Sequence, residues 1–199
     1  MIFKDISQDI QTTYQLTANE QVVFFMYNRG GDITFELTGP QAEAHVFAFF
    51  IGTGEEQCHL NISQKHLAQA TTSRVLVKSI LTDQSVFSYR GTLHIAKQAA
   101  LSDASQENRN LLLSPHAKAI SIPALEILTN DVRCHHAATT SPLSPEQLFT
   151  LMTRGLSHKQ AEQLLVAGFL SSSLDTLGNL VSRAEKEKVL SLMGQITLS

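Results

Sequence analysis

The sequence predicts a mainly β chain that ends in a helical segment, and three observations carry that reading. From about Thr17 to Thr140 the apolar residues come in short bursts separated by turn signals. Inside the bursts they alternate: Ile33, Phe35 and Leu37 with Thr34 and Glu36, and Leu60 and Ile62 around Asn61, the period of two that a strand requires. After Ser141 the spacing changes to that of an amphipathic helix. Strands in rapid succession with no helix between them exclude a doubly wound α/β sheet. A sandwich, a barrel and a parallel β-helix all remain, and spacing does not choose among them.

The strand candidates run in order as VVFFMY, ITFEL, HVFAFFI, CHLNI, SRVLVKSIL, SVFSY, TLHIAK, AKAISI, ALEIL and DVRCH. Arg29-Gly30-Gly31-Asp32, Gly52-Thr53-Gly54, Arg90-Gly91 and Pro123 supply the turn signals between them. Ser144 then reads as an N-cap with Pro145 at the first helical position and Gln147 placed to close a capping box. Leu148, Leu151 and Met152 share a face of this helix, and Arg154-Gly155 stops it. Ser157 and Gln160 repeat the arrangement, opening a helix whose buried stripe is Ala161, Leu164, Leu165 and Phe169. The remaining SLDTLGNLVSRAEKEKVLSLMG reads as one or two more amphipathic helices. No sequence repeat with a period of 20–50 residues is legible. The expected division is a β core over 1–143 and a helical domain over 144–199.

Composition narrows the function classes. A chain of 199 residues with 43% apolar and 17% charged residues can bury a core, and a net charge of −3 argues against a nucleic-acid partner, which calls for a basic face. Two cysteines make no disulfide framework and point to a reducing compartment. MIFKDISQDIQ lacks the features of a signal peptide, and the longest apolar runs fall well short of a membrane span, so a cytoplasmic chain without a membrane partner is expected. There is no P-loop, no G-x-S-x-G elbow and no H-E-x-x-H, and the carboxylates are scattered.

The sharpest local feature is NDVRCHHAATTS, in which Cys134 directly precedes His135 and His136. Structural zinc sites need four ligands, commonly spaced in pairs, and the only other cysteine, Cys58, lies far upstream. If Val132 to His136 is a strand, Val132, Cys134 and His136 share one face while Arg133 and His135 take the other. One reading is a buried thiol beside a hydrogen-bonded core histidine. Another is that Cys134 and His136 are two metal ligands of a site that another chain must complete. A metal-dependent or carbohydrate-active β-helix enzyme using His135 and His136 is the alternative from a different class. His45, His59, His66 and His94 read as support for strand packing, His116 as a turn residue and His158 as part of a solvated helix face.

The stretch from Gly91 to Thr140 resembles the core domain of the SufB/SufD family of iron–sulfur cluster assembly scaffold proteins. The likeness rests on Gly91, Ala99, Asp103-Ala104, Gln106, Asn108, Asn110-Leu111-Leu112-Leu113-Ser114, Ala117, Pro123, Leu125-Glu126-Ile127, Asp131-Val132-Arg133-Cys134, His136 and Ala138-Thr139. It extends from about Ile33, with His66 and Ser73 upstream, to Leu170, through Leu148-Phe149, Arg154-Gly155-Leu156 and Ala161. The resemblance implies a right-handed parallel β-helix followed by C-terminal helices, and a scaffold rather than an enzyme. It implies pairing with a SufB-like subunit, or with an identical one, and docking of a SufC-like ABC ATPase through Leu148, Phe149, Arg154, Gly155 and Leu156. Cys134 and His136 fall on the family's cysteine and histidine, so His136, with Cys134 and His135, is the implied assembly site for an iron–sulfur cluster held transiently and only with a partner.

The chain resembles SufD more closely, because Ala117 stands six residues before Pro123, where SufB carries its essential cysteine. Departures from the pattern are His135 for a serine, Ala137 for a glycine and Ala70 for a histidine. The family's N-terminal helical domain has no counterpart in the residues before Ile33.

Overall fold

The structure, a computed structural model, describes residues 1–194. Eleven strands precede three helices: β1 (Ile2–Asp5), β2 (Thr13–Leu16), β3 (Gln21–Tyr27), β4 (Gly31–Leu37), β5 (Glu43–Gly52), β6 (Gln57–His66), β7 (Thr72–Leu81), β8 (Val86–Ile95), β9 (Ser102–Leu112), β10 (Lys118–Ile127), β11 (Val132–Pro142), α1 (Pro145–Thr153), α2 (His158–Gly178) and α3 (Arg183–Gly194). Odd-numbered strands form one parallel sheet in the order β1-β3-β5-β7-β9-β11, and even-numbered strands form a second, β10-β8-β6-β4-β2. The chain therefore coils as a flattened parallel β-helix with two strands per turn, which resolves the choice that spacing left open. The first thirty residues contribute strands to it.

Register defines a repeat that the residue types conceal. Glu43 pairs with Thr72 and Thr72 with Asp103, while on the other sheet Gln57 pairs with Val86 and Val86 with Lys118. Each turn thus takes about thirty residues, yet the stacked positions share burial rather than identity. Between the sheets, Phe24, Met26, Phe35, Leu37, Val46, Phe87 and Tyr89 belong to one apolar cluster. Among these, Phe24 and Phe35 lie 4.8 Å apart, centroid to centroid.

Several expectations change at this level. Arg90-Gly91 is no turn: Gly91 sits mid-strand in β8, facing inward, and a Cβ there would stand 2.1 Å from the Gln106 side-chain oxygen. SVFSY and TLHIAK are accordingly parts of one strand. Pro123 likewise lies inside β10 rather than between two strands, tolerated because β10 is the edge of its sheet and the missing N–H breaks no ladder on the open side. Strand β9, SDASQENRNLL, escaped the apolar-burst reading because Ser102, Gln106, Asn108 and Asn110, the residues it turns inward, are polar.

The helices cover the outer face of the odd-numbered sheet. Val23, Phe25, Phe47 and Phe49 point out of that sheet into a second apolar cluster with Val166, Leu170, Leu174, Leu177, Val189 and Met193. The buried side of α2 is Ala161, Val166, Leu170, Ser173, Leu174 and Leu177, whereas Leu164 is exposed and Phe169 only half-buried. Apolar residues occur around most of this helix, so the sheet it meets, not its own periodicity, selects the face. Ser144 accepts from the Gln147 backbone N–H, but the reciprocal bond that completes a capping box is made at α2, between Ser157 and Gln160. Gly155, at φ +96°, ends α1 in a Schellman turn: its N–H donates to Met152 and that of Leu156 to Leu151. No helix among the described residues is long and apolar enough to cross a membrane.

Candidate functional site

The two ends of the β-helix are built differently. At the first turn, residues 6–12 form the corner that joins β1 to β2. Arg29, in the corner of the next turn, ties it down, donating from Nη1 to the Ile6 carbonyl (2.7 Å) and the Tyr14 hydroxyl (3.0 Å) and from Nη2 to the Gln11 carbonyl. Ile6, Tyr14 and Leu16 are buried there as fully as mid-stack residues. β1 and β2 also have unpaired outer edges and Ile2 is 54% exposed, but the last turn is the less covered of the two, since β10 is largely exposed where Tyr14 and Leu16 of β2 are buried. Leu125 and Ile127 stack on the buried Leu93 and Ile95, yet remain 53% and 40% exposed, and β10 and β11 leave their outer backbone edges unpaired. Ile120, Ile122 and Leu128 add exposed apolar surface on and beside β10.

This open turn carries the cysteine and histidines singled out in the sequence. In register, Val132 stacks on Ser102, Cys134 on Ala104 and His136 on Gln106, all three partners being buried, while Arg133 and His135 follow the outward Asp103 and Ser105. The alternation expected for this strand is therefore present, and His135 and His136 lie on opposite faces. Cys134 is exposed rather than buried, since its inward row has no further turn above it. His136 is half-buried, and both its ring nitrogens are shielded from solvent without a hydrogen-bond partner. A hydrogen-bonded core histidine is thus not what the structure contains.

Environment sets the chemistry of these two groups. Burial, and after it the neighbouring His135 ring, pushes the His136 pKa down, which favours the neutral imidazole, the form that donates a lone pair to a metal. Burial, with the carboxylate of Asp103, pushes the Cys134 thiol up and keeps it protonated until a metal or cation displaces the proton. Among the described residues no three His, Cys, Asp or Glu side chains form a group able to hold a metal ion. Cys134 and His136 share one row of β11, and among the described residues no third such side chain joins them.

Beneath the open turn the interior is polar, a feature the strand-by-strand reading missed. His66 is bonded through Nδ1 to Thr71 Oγ1 and through Nε2 to Ser73 Oγ, both at 2.7 Å. Gln64 donates to the same Ser73 hydroxyl (2.8 Å), and Gln106 donates to the Gln64 side-chain oxygen (3.2 Å). Gln106 Oε1, directly below His136 in register, has no partner. Alongside runs a second chain, in which Ser79 donates to Asn110 (2.7 Å), Asn110 to Asn108 (2.8 Å) and Asn110 also to Thr140 at the open turn (3.1 Å). Polar residues at alternate positions from Ser102 to Asn110, interrupted by Ala104, were the available signal.

The other predicted surface lies on α1 and its C-terminal turn. Leu148 and Leu156 are half-buried there, Arg154 is the exposed C-cap, Gly155 makes the turn, and Phe149 stands 68% exposed. His45, outward on β5, bonds to Glu43, and His94 on β8 bonds to Glu126.

Comparison with known proteins follows from this geometry. The family profile described as "SUF system FeS cluster assembly, SufBD core domain" matches residues 14–169, beginning earlier than the likeness read from Ile33. The iron–sulfur cluster assembly protein SufD of Escherichia coli (strain K12) is 28% identical over 160 residues, which is 80% of this chain and 37% of that protein. SufD of Bacillus subtilis (strain 168) is 32% identical over 144 residues, 72% of this chain and 33% of the relative. SufB of the same organism is 35% identical over 105 residues, 53% of this chain and 23% of SufB. The chain thus spans about a third of the SufD proteins it matches.

Proposed function

This chain belongs to the SufBD core family, and on that premise we propose that it is a SufD-like scaffold subunit in iron–sulfur cluster assembly. Its open end receives a second β-helix, either a SufB-like subunit or an identical copy. The cluster is cargo: His136, with Cys134, supplies part of its ligand set at the joint, and the partner supplies the rest. The carrying observation is the uncapped last turn, where an unpartnered imidazole sits between unpaired strand edges. Such edges are covered or paired in stable proteins.

The same reading assigns α1 and its turn, through Leu148, Phe149, Arg154, Gly155 and Leu156, to a SufC-like ABC ATPase, and locates the assembly in the cytoplasm. ATP hydrolysis then belongs to the partner, and this subunit positions rather than catalyses. An enzyme built on His135 and His136 is disfavoured, since the two rings emerge from opposite faces of β11.

Anaerobic reconstitution with iron and sulfide tests the site. The expected result is a cluster absorption band retained by the paired subunits, weak in the unpaired chain, and lost in His136→Ala with an unchanged melting temperature. A band of equal strength in the paired His136→Ala protein would end the assignment.

A further inference from the structure

Away from the open end, the outer face of β7 and β9 meets α2 along a pocket of about 520 Å³, within the range that small-molecule sites occupy. In a chain of net charge −3 its lining is cationic: Arg74, Lys78 and Arg109 against a single carboxylate, Glu107. Arg109 is paired with Glu107 (2.8 Å), and Arg74 with Asp103 at the rim (2.8 Å). Lys78 differs. It is 2% exposed, its Nζ donates to the Phe169 carbonyl and the Ser172 hydroxyl (3.4 Å), and it stands 4.6 Å from the centre of the Phe169 ring. Among the described residues no carboxylate lies within ion-pair distance of it, and an ammonium has a third N–H to donate.

A second, independent observation points into the same space. Ser173, on the adjoining turn of α2, is also 2% exposed and lines the pocket, and its hydroxyl has no hydrogen-bond partner. Burying a cation without an anion and a hydroxyl without a partner are both unfavourable, and each requires an explanation. An oxyanion between them satisfies both at once. Burial also pushes the Lys78 ammonium down to about 8, a shift that a bound anion would reverse.

We propose that this pocket binds a small molecule through a phosphate-class oxyanion, with Lys78 and Arg74 supplying charge and Ser173 a hydrogen bond. The site is distinct from the open turn and does not depend on its role.

Titration calorimetry of the full chain with inorganic phosphate and pyrophosphate, at fixed ionic strength in chloride, tests it, with malonate as the carboxylate comparator. At least one phosphate probe is expected to saturate one site per chain. Ser173→Ala and Arg74→Gln are each expected to weaken it about tenfold, the scale of a charge-assisted hydrogen bond. Ser173→Ala should also melt no lower than the wild type, because it removes an unpaired buried hydroxyl, which guards against reading misfolding as lost binding. Absence of saturable binding, wild-type affinity in both variants, or tighter binding of malonate would each overturn the proposal.

Discussion

Buried polar side chains set the behaviour of this protein at the scale of single residues. His66 lies wholly inside the β-helix, bonded to Thr71 and Ser73. Burial, and after it the charge of Arg74, pushes its pKa down to about 4. Because the unfolded chain takes up this proton near pH 6.5 and the folded one only near pH 4, stability is full above pH 6.5. It falls as the solution is acidified across that window, by about 3 kcal/mol. Urea unfolding at pH 7, 5.5 and 4 should show this slope in the wild type and a flatter one in His66→Gln; parallel slopes would remove His66 from the account. Gly91 shows the same interior from the other side. The Gln106 amide occupies the position of its missing Cβ, which is why a residue that reads as a turn in the sequence lies in a strand.

At the scale of elements, local signals and tertiary contacts divide the work. Ser157 with Gln160, and Gly155 at positive φ, fix where α1 ends and α2 starts, and both were legible because caps depend on neighbouring residues only. The face α2 buries was not legible, since Val23, Phe25, Phe47 and Phe49 on the sheet select it. Those aromatic side chains would meet water if the helices were deleted, so a truncation after Ser141 tests solubility, not docking. A point substitution is cleaner. Phe149 is exposed and belongs to neither apolar cluster, so Phe149→Glu should leave the melting temperature within about 0.5 kcal/mol-equivalent of wild type. Co-purification of a SufC-like ATPase should be lost in the same variant; retention of the ATPase would move the docking surface off α1.

Across the whole molecule, each turn of the β-helix contacts only its neighbours, so stability is close to a sum of turn-to-turn interfaces. The corner of the first turn is tied down by the Arg29 network, and β1 is braced by Lys188 of α3 on Asp5 (2.9 Å). The last turn has one neighbour and no cap. Hydrogen exchange of the isolated chain should therefore be fastest, among the strands, in β10 and β11, and should slow there on pairing with a second β-helix. Equal protection of the first and last turns before and after pairing would contradict both the asymmetry and the assigned interface.

The sequence by itself determined the strand-then-helix order, the helix caps, and the placement of Cys134 and His136 on one row of β11 with His135 on the other. Each of these follows from a period of two, a period near 3.6, or a contact within four residues. Tertiary structure alone decided that β9 is a strand, that Gly91 and Pro123 lie inside strands, that Leu164 faces solvent, and that the last turn is the less covered end of the stack. These outcomes depend on groups about thirty residues apart in register, and that pairing is sensed through space by packing and hydrogen bonds, where no local pattern reaches.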